Sequence, residues 1–192
     1  MRIIETKVYK FEELSEDAKE RARDWYREAT SEESFYAEYV EEDFKTLCAL
    51  VGICVDSVSW SGFYHQGSFA AFDGHYSYKK GALKAVREYA PLDVELQRIA
   101  KQLQTVQSRQ FYKLAARIYT RRDSMLCDAE HTEERYRDLQ GAEDKLLECF
   151  TDLADWFYKR LRSEYEWTQE DAQVDESIIA NEYEFTEEGK RA

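Results

Sequence analysis

The most constraining pattern in the sequence is a helical apolar stripe near its C-terminal end. Its residues recur at steps of four, three, four and four: Leu146, Phe150, Leu153, Phe157 and Leu161. A second stripe, running from Leu92 to Val106, has steps of four, three, four and three. Such spacing predicts amphipathic helices. Each needs an apolar surface to cover its buried face, so we expect a chain folded around a substantial core.

Strand patterns accompany these helices. Residues 53–60 and 68–78 form two apolar runs that predict a hairpin, with an irregularity near residues 56–57. Four of the seven glycines lie in or beside it: Gly62, Gly67, Gly74 and Gly81. Further strands are predicted at 6–11, 114–119 and 183–186, and residues 189–192 are expected to fray. Helices and strands do not alternate strictly. We therefore predict one α+β domain over 1–192, its antiparallel or mixed sheet having a central hairpin covered by helices.

The charge is unevenly distributed. The 192 residues carry a formal net charge of -13: residues 1–43 contribute -7, residues 44–122 contribute +7 and residues 123–192 contribute -13. This balance argues against direct nucleic-acid binding by the chain as a whole. No apolar run approaches a membrane span and no apolar signal region begins the chain, so we expect a cytoplasmic protein. Four cysteines without a C-x-x-C motif predict reduced, structural thiols.

The acidic helical part, at about 142–182, offers the best functional feature. Its carboxylates predict a partner-binding surface formed by Asp144, Glu148, Asp152, Asp155, Glu164, Glu166, Glu170, Asp171 and Asp175. Four helical residues rise about 6 Å, comparable with the spacing of phosphates along a nucleic-acid strand. Such a surface could imitate a phosphate backbone toward a basic groove. The alternative is an ordinary solvated helix face, which the interruptions at Lys145 and Lys159 favour.

The hairpin region holds a second candidate, a ligand loop. It consists of Phe63, Tyr64, His65, Gln66 and Asp73. Aromatic residues of this kind can stack on bases, but alternate aromatic residues of a hairpin also fill a core. His65, Asp73 and His75 match no metal-ligand spacing, and neither a nucleophile motif nor a phosphate-binding loop occurs. We expect neither an enzyme nor a bound cofactor or metal.

Four segments resemble a family of small acidic bacteriophage and prophage proteins. They are Thr6–Ser15, Ser61-Gly62-Phe63-x-x-Gln66-Gly67, Lys80-Gly81-Ala82-Leu83-Lys84 and Ala180–Thr186. Relatives carry an acidic and a small residue after Gln-Gly, where this chain has Ser68-Phe69. Family members are loosely labelled antitoxins of toxin–antitoxin stability systems. Small acidic phage proteins are also frequent inhibitors of host defence, such as anti-CRISPR proteins.

Three functional hypotheses follow. The first is a phage-encoded, non-enzymatic inhibitor that binds the basic surface of a host nucleic-acid-handling defence complex, such as a CRISPR effector, through the acidic residues. The second is an antitoxin that neutralises one toxin. The third is a nucleotide- or metal-binding enzyme that uses the 60–78 hairpin.

Overall fold

The computed structural model describes residues 7–31, 35–64, 66–122, 124–133 and 139–192. Within them the chain forms six α-helices and two antiparallel sheets, of two and four strands, which confirms the predicted α+β class. It divides into two compact units. The first unit comprises residues 1–36 and 163–192, and the second comprises residues 37–162.

The second unit is built on the four-stranded sheet. The strands β2 (Ile53–Trp60), β3 (Ala70–Ser77), β4 (Leu114–Arg121) and β5 (Ser124–His131) lie side by side in that order. The predicted hairpin is confirmed as β2–β3, and the irregularity is a register shift between Val55 and Ser57. β5 escaped prediction because its apolar and polar residues do not alternate cleanly. It is held by full pairing with β4, from Leu114 opposite His131 to Arg121 opposite Ser124.

Helices cover one face of this sheet. They are α2 (Phe35–Val51, from its third residue), α3 (Ala82–Tyr89), α4 (Val94–Arg109) and the part of α5 (Gln140–Thr168) that ends at Arg162. Phe44 of α2 stacks on Phe157 of α5 at 4.5 Å between ring centroids and meets Phe72 of β3 at 5.3 Å. These rings are fully buried. Every residue of the α5 stripe is buried, and so are Leu96, Ile99, Leu103 and Val106 of the second stripe. The assignment of Leu92 to that stripe is wrong, because Leu92 precedes α4 and is 92% exposed.

The first unit brings the two ends of the described chain together. β1 (Tyr9–Lys10) pairs with β6 (Glu184–Phe185), and α1 (Glu16–Ala29) packs with α6 (Asp171–Ala180). Ser15 caps α1 by accepting a hydrogen bond from the backbone of Ala18. The buried cluster is Phe11, Leu14, Ala18, Ala22, Val174, Ile178 and Phe185.

The expectation of a frayed C-terminal tail is wrong. The backbone of Thr186 donates to the carbonyl of Lys190 at 2.8 Å, and that of Ala192 donates to Glu184 at 3.0 Å. Gly189 is buried against the backbone of Ala18. The tail is ordered because it closes against α1 and extends the β6 pairing, a long-range contact that a local polar sequence does not reveal.

Candidate partner-binding surfaces

Three of the predicted partner-binding carboxylates form a stripe on α5. Asp144, Glu148 and Asp155 are exposed, on the side of the helix away from Leu146, Phe150 and the other buried stripe residues. The spacing of four and seven residues places them on one helix face. We call these three residues the acidic stripe.

Asp152, predicted for the same surface, is engaged within the chain. It accepts a hydrogen bond from the guanidinium of Arg98 on α4 at 2.8 Å, and this contact raises the pKa of Arg98. About two turns further along α5, Lys159 pairs with Glu95 at 2.8 Å, and this contact raises the pKa of Lys159. These pairs are partly exposed, so each contributes at most about 1 kcal/mol to stability. The ion pair of Asp152 with Arg98 thus connects α5 to α4.

Asp171 and Asp175 are also engaged, in the first unit. Arg23 of α1 makes a bidentate contact with Asp175, at 2.6 and 2.7 Å. Arg27 contacts Asp171 at 2.6 Å and the backbone carbonyl of Gln169 at 2.9 Å. The hydrogen bond that Arg23 donates to Asp175 raises the pKa of Arg23, and the one that Arg27 donates to Asp171 lowers the pKa of Asp171. Two ion pairs therefore hold α1 to α6.

The first unit carries most of the negative charge of the chain. The unit contains 20 acidic and 9 basic residues, a net charge of -11, whereas residues 37–162 contain 20 and 18, a net charge of -2. The side chains of Arg23 and Arg27 are only 16% and 26% exposed, because they point into the α1–α6 contact. Most of the carboxylates lie outside it.

The remaining predicted carboxylates occupy the α5–α6 region of the first unit. Glu164 is half-buried and Glu166 is exposed, both near the end of α5. Glu170 is exposed at the N-cap of α6, where its charge interacts favourably with the helix dipole. With the acidic stripe, these three residues complete the nine carboxylates of the predicted surface, of which Asp152, Asp171 and Asp175 are paired with arginines.

The predicted ligand loop is largely used for packing. Phe63 is buried, stacked on Trp60 at 6.0 Å and close to Tyr158 at 5.5 Å. Tyr64 is exposed and lies against the guanidinium of Arg162 at 4.8 Å. Gln66 is exposed in a turn, and His65 lies outside the described residues.

Asp73, the last residue assigned to that loop, lies on β3 and contacts the neighbouring strand. It accepts a hydrogen bond from the backbone of Thr120 at 2.8 Å and thereby links β3 to β4. Among the described residues, no three His, Cys, Asp or Glu side chains are placed to hold a metal ion. Among the hairpin aromatics, Trp60, Phe63, Phe72 and Tyr76 contact other aromatic rings.

The opposite face of the sheet carries a polar row that sequence reasoning missed. Cys54, His75, Arg117 and Asp128 face one another across all four strands. They line an open groove of about 710 Å³. The Nε2 atom of His75 lies 3.5 Å from a carboxylate oxygen of Asp56. Strand register alone brings these residues together, and a single sequence does not specify that register.

Cys54 is the exposed thiol of four free cysteines. Cys48, Cys127 and Cys149 are buried, and burial raises the pKa of both Cys127 and Cys149 to about 12. None of the four cysteines is joined in a disulfide, and three of them are buried, in keeping with the expected structural role.

A second missed feature is an aromatic pocket in the first unit. It has a volume of about 200 Å³. Five aromatic and five polar residues line it: Tyr26, Phe35, Tyr36, Tyr165 and Trp167, and Thr30, Thr168, Gln169, Gln173 and Ser177. The rings of Tyr36 and Tyr165 lie 5.8 Å apart, and burial raises the pKa of Tyr36. Phe35 and Trp167 are 66% and 48% exposed. The dipeptide Phe35-Tyr36 and the Tyr165-x-Trp167 pattern are its only sequence signals.

Comparison with known proteins gives one family. The family described as a domain of unknown function (DUF8835) matches residues 36–171. This range contains the four-stranded sheet and leaves α1, β6 and most of α6 outside. No curated protein and no solved structure matches the chain. Across the described residues, none of the helices combines the length and apolar character that crossing a bilayer requires.

Proposed function

The chain belongs to the DUF8835 family, and we propose that it is a phage-encoded, stoichiometric inhibitor of a host nucleic-acid-handling defence complex. In this proposal its carboxylates occupy a basic surface that otherwise binds nucleic acid, as a CRISPR effector does. The observation that carries it is the net charge of -11 on the first unit, whose arginines Arg23 and Arg27 are turned inward.

Electrostatics supports this role in two ways. An acidic surface steers association with a basic partner and raises the rate of encounter. The acidic stripe adds exposed carboxylates on a rigid helix, at a separation of the same order as phosphates on a strand. Asp152, Asp171 and Asp175 play no direct part, because they are held by Arg98, Arg27 and Arg23.

The test compares three variants that each remove three negative charges. The stripe variant neutralises the acidic stripe (Asp144→Asn, Glu148→Gln, Asp155→Asn). The first-unit variant removes three carboxylates of the first unit (Glu166→Gln, Glu170→Gln, Glu176→Gln). The control neutralises exposed residues elsewhere in the second unit: Glu38→Gln, Glu42→Gln and Glu130→Gln. All three variants have the same net charge, so only the position of the lost charge differs.

Each variant is expressed in hosts that carry one defence complex, and phage plating is counted. The wild-type chain and the control should restore plating, whereas the first-unit variant should restore it less. The first-unit variant should bind the purified complex at least about tenfold more weakly than the wild type does. This difference in affinity should become smaller at high salt. Undiminished inhibition by both the stripe and the first-unit variants would contradict the proposal. Rescue of growth from a co-expressed toxin, without any effect on plating, would instead support the antitoxin hypothesis.

A further inference from the structure

We propose that the aromatic pocket of the first unit binds the side chain of one arginine from a basic protein partner. The inference rests on the proposed function only for the source of that arginine. The pocket itself is complete within the first unit, and it can be studied with a small arginine peptide in the absence of any target.

The lining of the pocket favours a cation. Aromatic faces attract cations through their quadrupole, and Trp and Tyr do so more strongly than Phe. Tyr36, Tyr165 and Trp167 supply such faces, and none of the residues lining the pocket is basic. The nearby guanidinium of Arg27 is already engaged by Asp171 and by the carbonyl of Gln169. The net charge of -11 on the surrounding unit attracts a positive group further.

The polar residues that line the pocket favour arginine over lysine. Gln173 and Ser177 lie one turn apart on α6, and their side chains form no hydrogen bond with the described residues. They can accept hydrogen bonds from a guanidinium, whose planar shape also stacks on aromatic rings. A volume of about 200 Å³ lies below the ~300–1,000 Å³ of typical small-molecule sites. It therefore suits a single side chain better than a nucleotide or another cofactor.

The probe is a blocked Gly-Arg-Gly tripeptide, added to the full chain and followed by NMR. The Trp167 indole resonance is identified with Trp167→Phe, and the Gln173 side-chain amide is followed alongside it. Both should shift saturably, with a dissociation constant on the order of 1 mM. Gly-citrulline-Gly has nearly the same shape without the charge and should bind about tenfold more weakly or worse.

Three variants sharpen the test. Trp167→Ala, at a half-exposed position, should abolish the saturable shift of the Gln173 amide, whereas Tyr39→Ala, at a residue 78% exposed on α2, should leave it unchanged. Gln173→Glu should tighten arginine binding severalfold, read at Trp167, and leave citrulline binding unchanged, because it adds a carboxylate beside the guanidinium.

The proposal is overturned by any of three results. They are the lack of a saturable shift up to about 10 mM peptide, equal responses to arginine and citrulline, and arginine binding retained by Trp167→Ala. None of these results depends on phage plating. If the chain binds the arginine peptide but inhibits no defence complex, the pocket proposal is supported and the proposed function is contradicted.

Discussion

At the scale of single residues, Gly189 constrains the first unit most directly. Its φ is +81°, in the left-handed region that side chains disfavour, and a Cβ atom there would overlap the carbonyl oxygen of Ala18. Ala18 is completely buried in α1, so its backbone has little room to move. Conformation and packing thus both require glycine at a position where the sequence alone suggests a loose tail.

The two contributions can be separated by comparing two glycines. Gly67 has a φ of +92° but open space around its Cβ position. Gly67→Ala should therefore cost about 1 kcal/mol, from conformation alone, and Gly189→Ala about 2–4 kcal/mol. Urea unfolding of both variants and the wild type measures the difference. Equal losses would mean that the contact with Ala18 contributes nothing.

At the scale of secondary-structure elements, Asp93 joins α4 to α5 with one carboxylate. One oxygen caps α4 by accepting from the backbone of Leu96 at 2.9 Å, and the other accepts from the indole of Trp156 at 2.7 Å. Trp156 is buried, so its indole N–H requires a partner within the chain. The carboxylate both defines the start of one helix and anchors another.

Removing Asp93 should therefore cost more than removing the indole donor. Asp93→Ala removes the cap and leaves the indole N–H without an acceptor, so it should lower the free energy of unfolding by about 2–3 kcal/mol. Trp156→Phe leaves the cap in place, and its loss should be about 1 kcal/mol smaller than that of Asp93→Ala. Chemical denaturation of the two variants and of the double variant gives the coupling between them. The double variant should lose less than the sum of the single losses, because both substitutions remove the same hydrogen bond, and an additive loss would show that the Asp93–Trp156 contact contributes nothing.

The elements also show what the sequence could predict. The stripes from Leu96 to Val106 and from Leu146 to Leu161 were predicted because helical periodicity is local, and the β2–β3 hairpin because glycines lie at its turn. Leu92 continues the spacing of the first stripe but lies before α4 and is exposed. The row across the sheet depends on strand register, and the aromatic pocket joins Phe35 to Trp167, 132 positions apart. Nor could sequence separate exposed Asp155 from ion-paired Asp152, since the difference lies in the position of Arg98.

At the scale of the whole molecule, the net charge of -13 and the internal ion pairs have opposite effects on stability. Repulsion among the carboxylates of the first unit, with its net charge of -11, favours unfolding. The ion pairs of Arg23 and Arg27 oppose it. These pairs are short and partly buried, and salt therefore screens them less than it screens repulsion between exposed carboxylates. The screening of repulsion should dominate.

Added salt should consequently stabilise the protein. Raising NaCl from about 20 to about 300 mM should increase the free energy of unfolding by on the order of 1 kcal/mol, since the Debye length falls below ~10 Å within this range. Glu166→Gln, Glu170→Gln and Glu176→Gln together should reduce that increase, because they remove carboxylates from the most acidic unit. The variant with Glu38→Gln, Glu42→Gln and Glu130→Gln should retain most of it. Equal salt dependence in the two variants would show that the repulsion is spread over the whole chain and is not concentrated in the first unit.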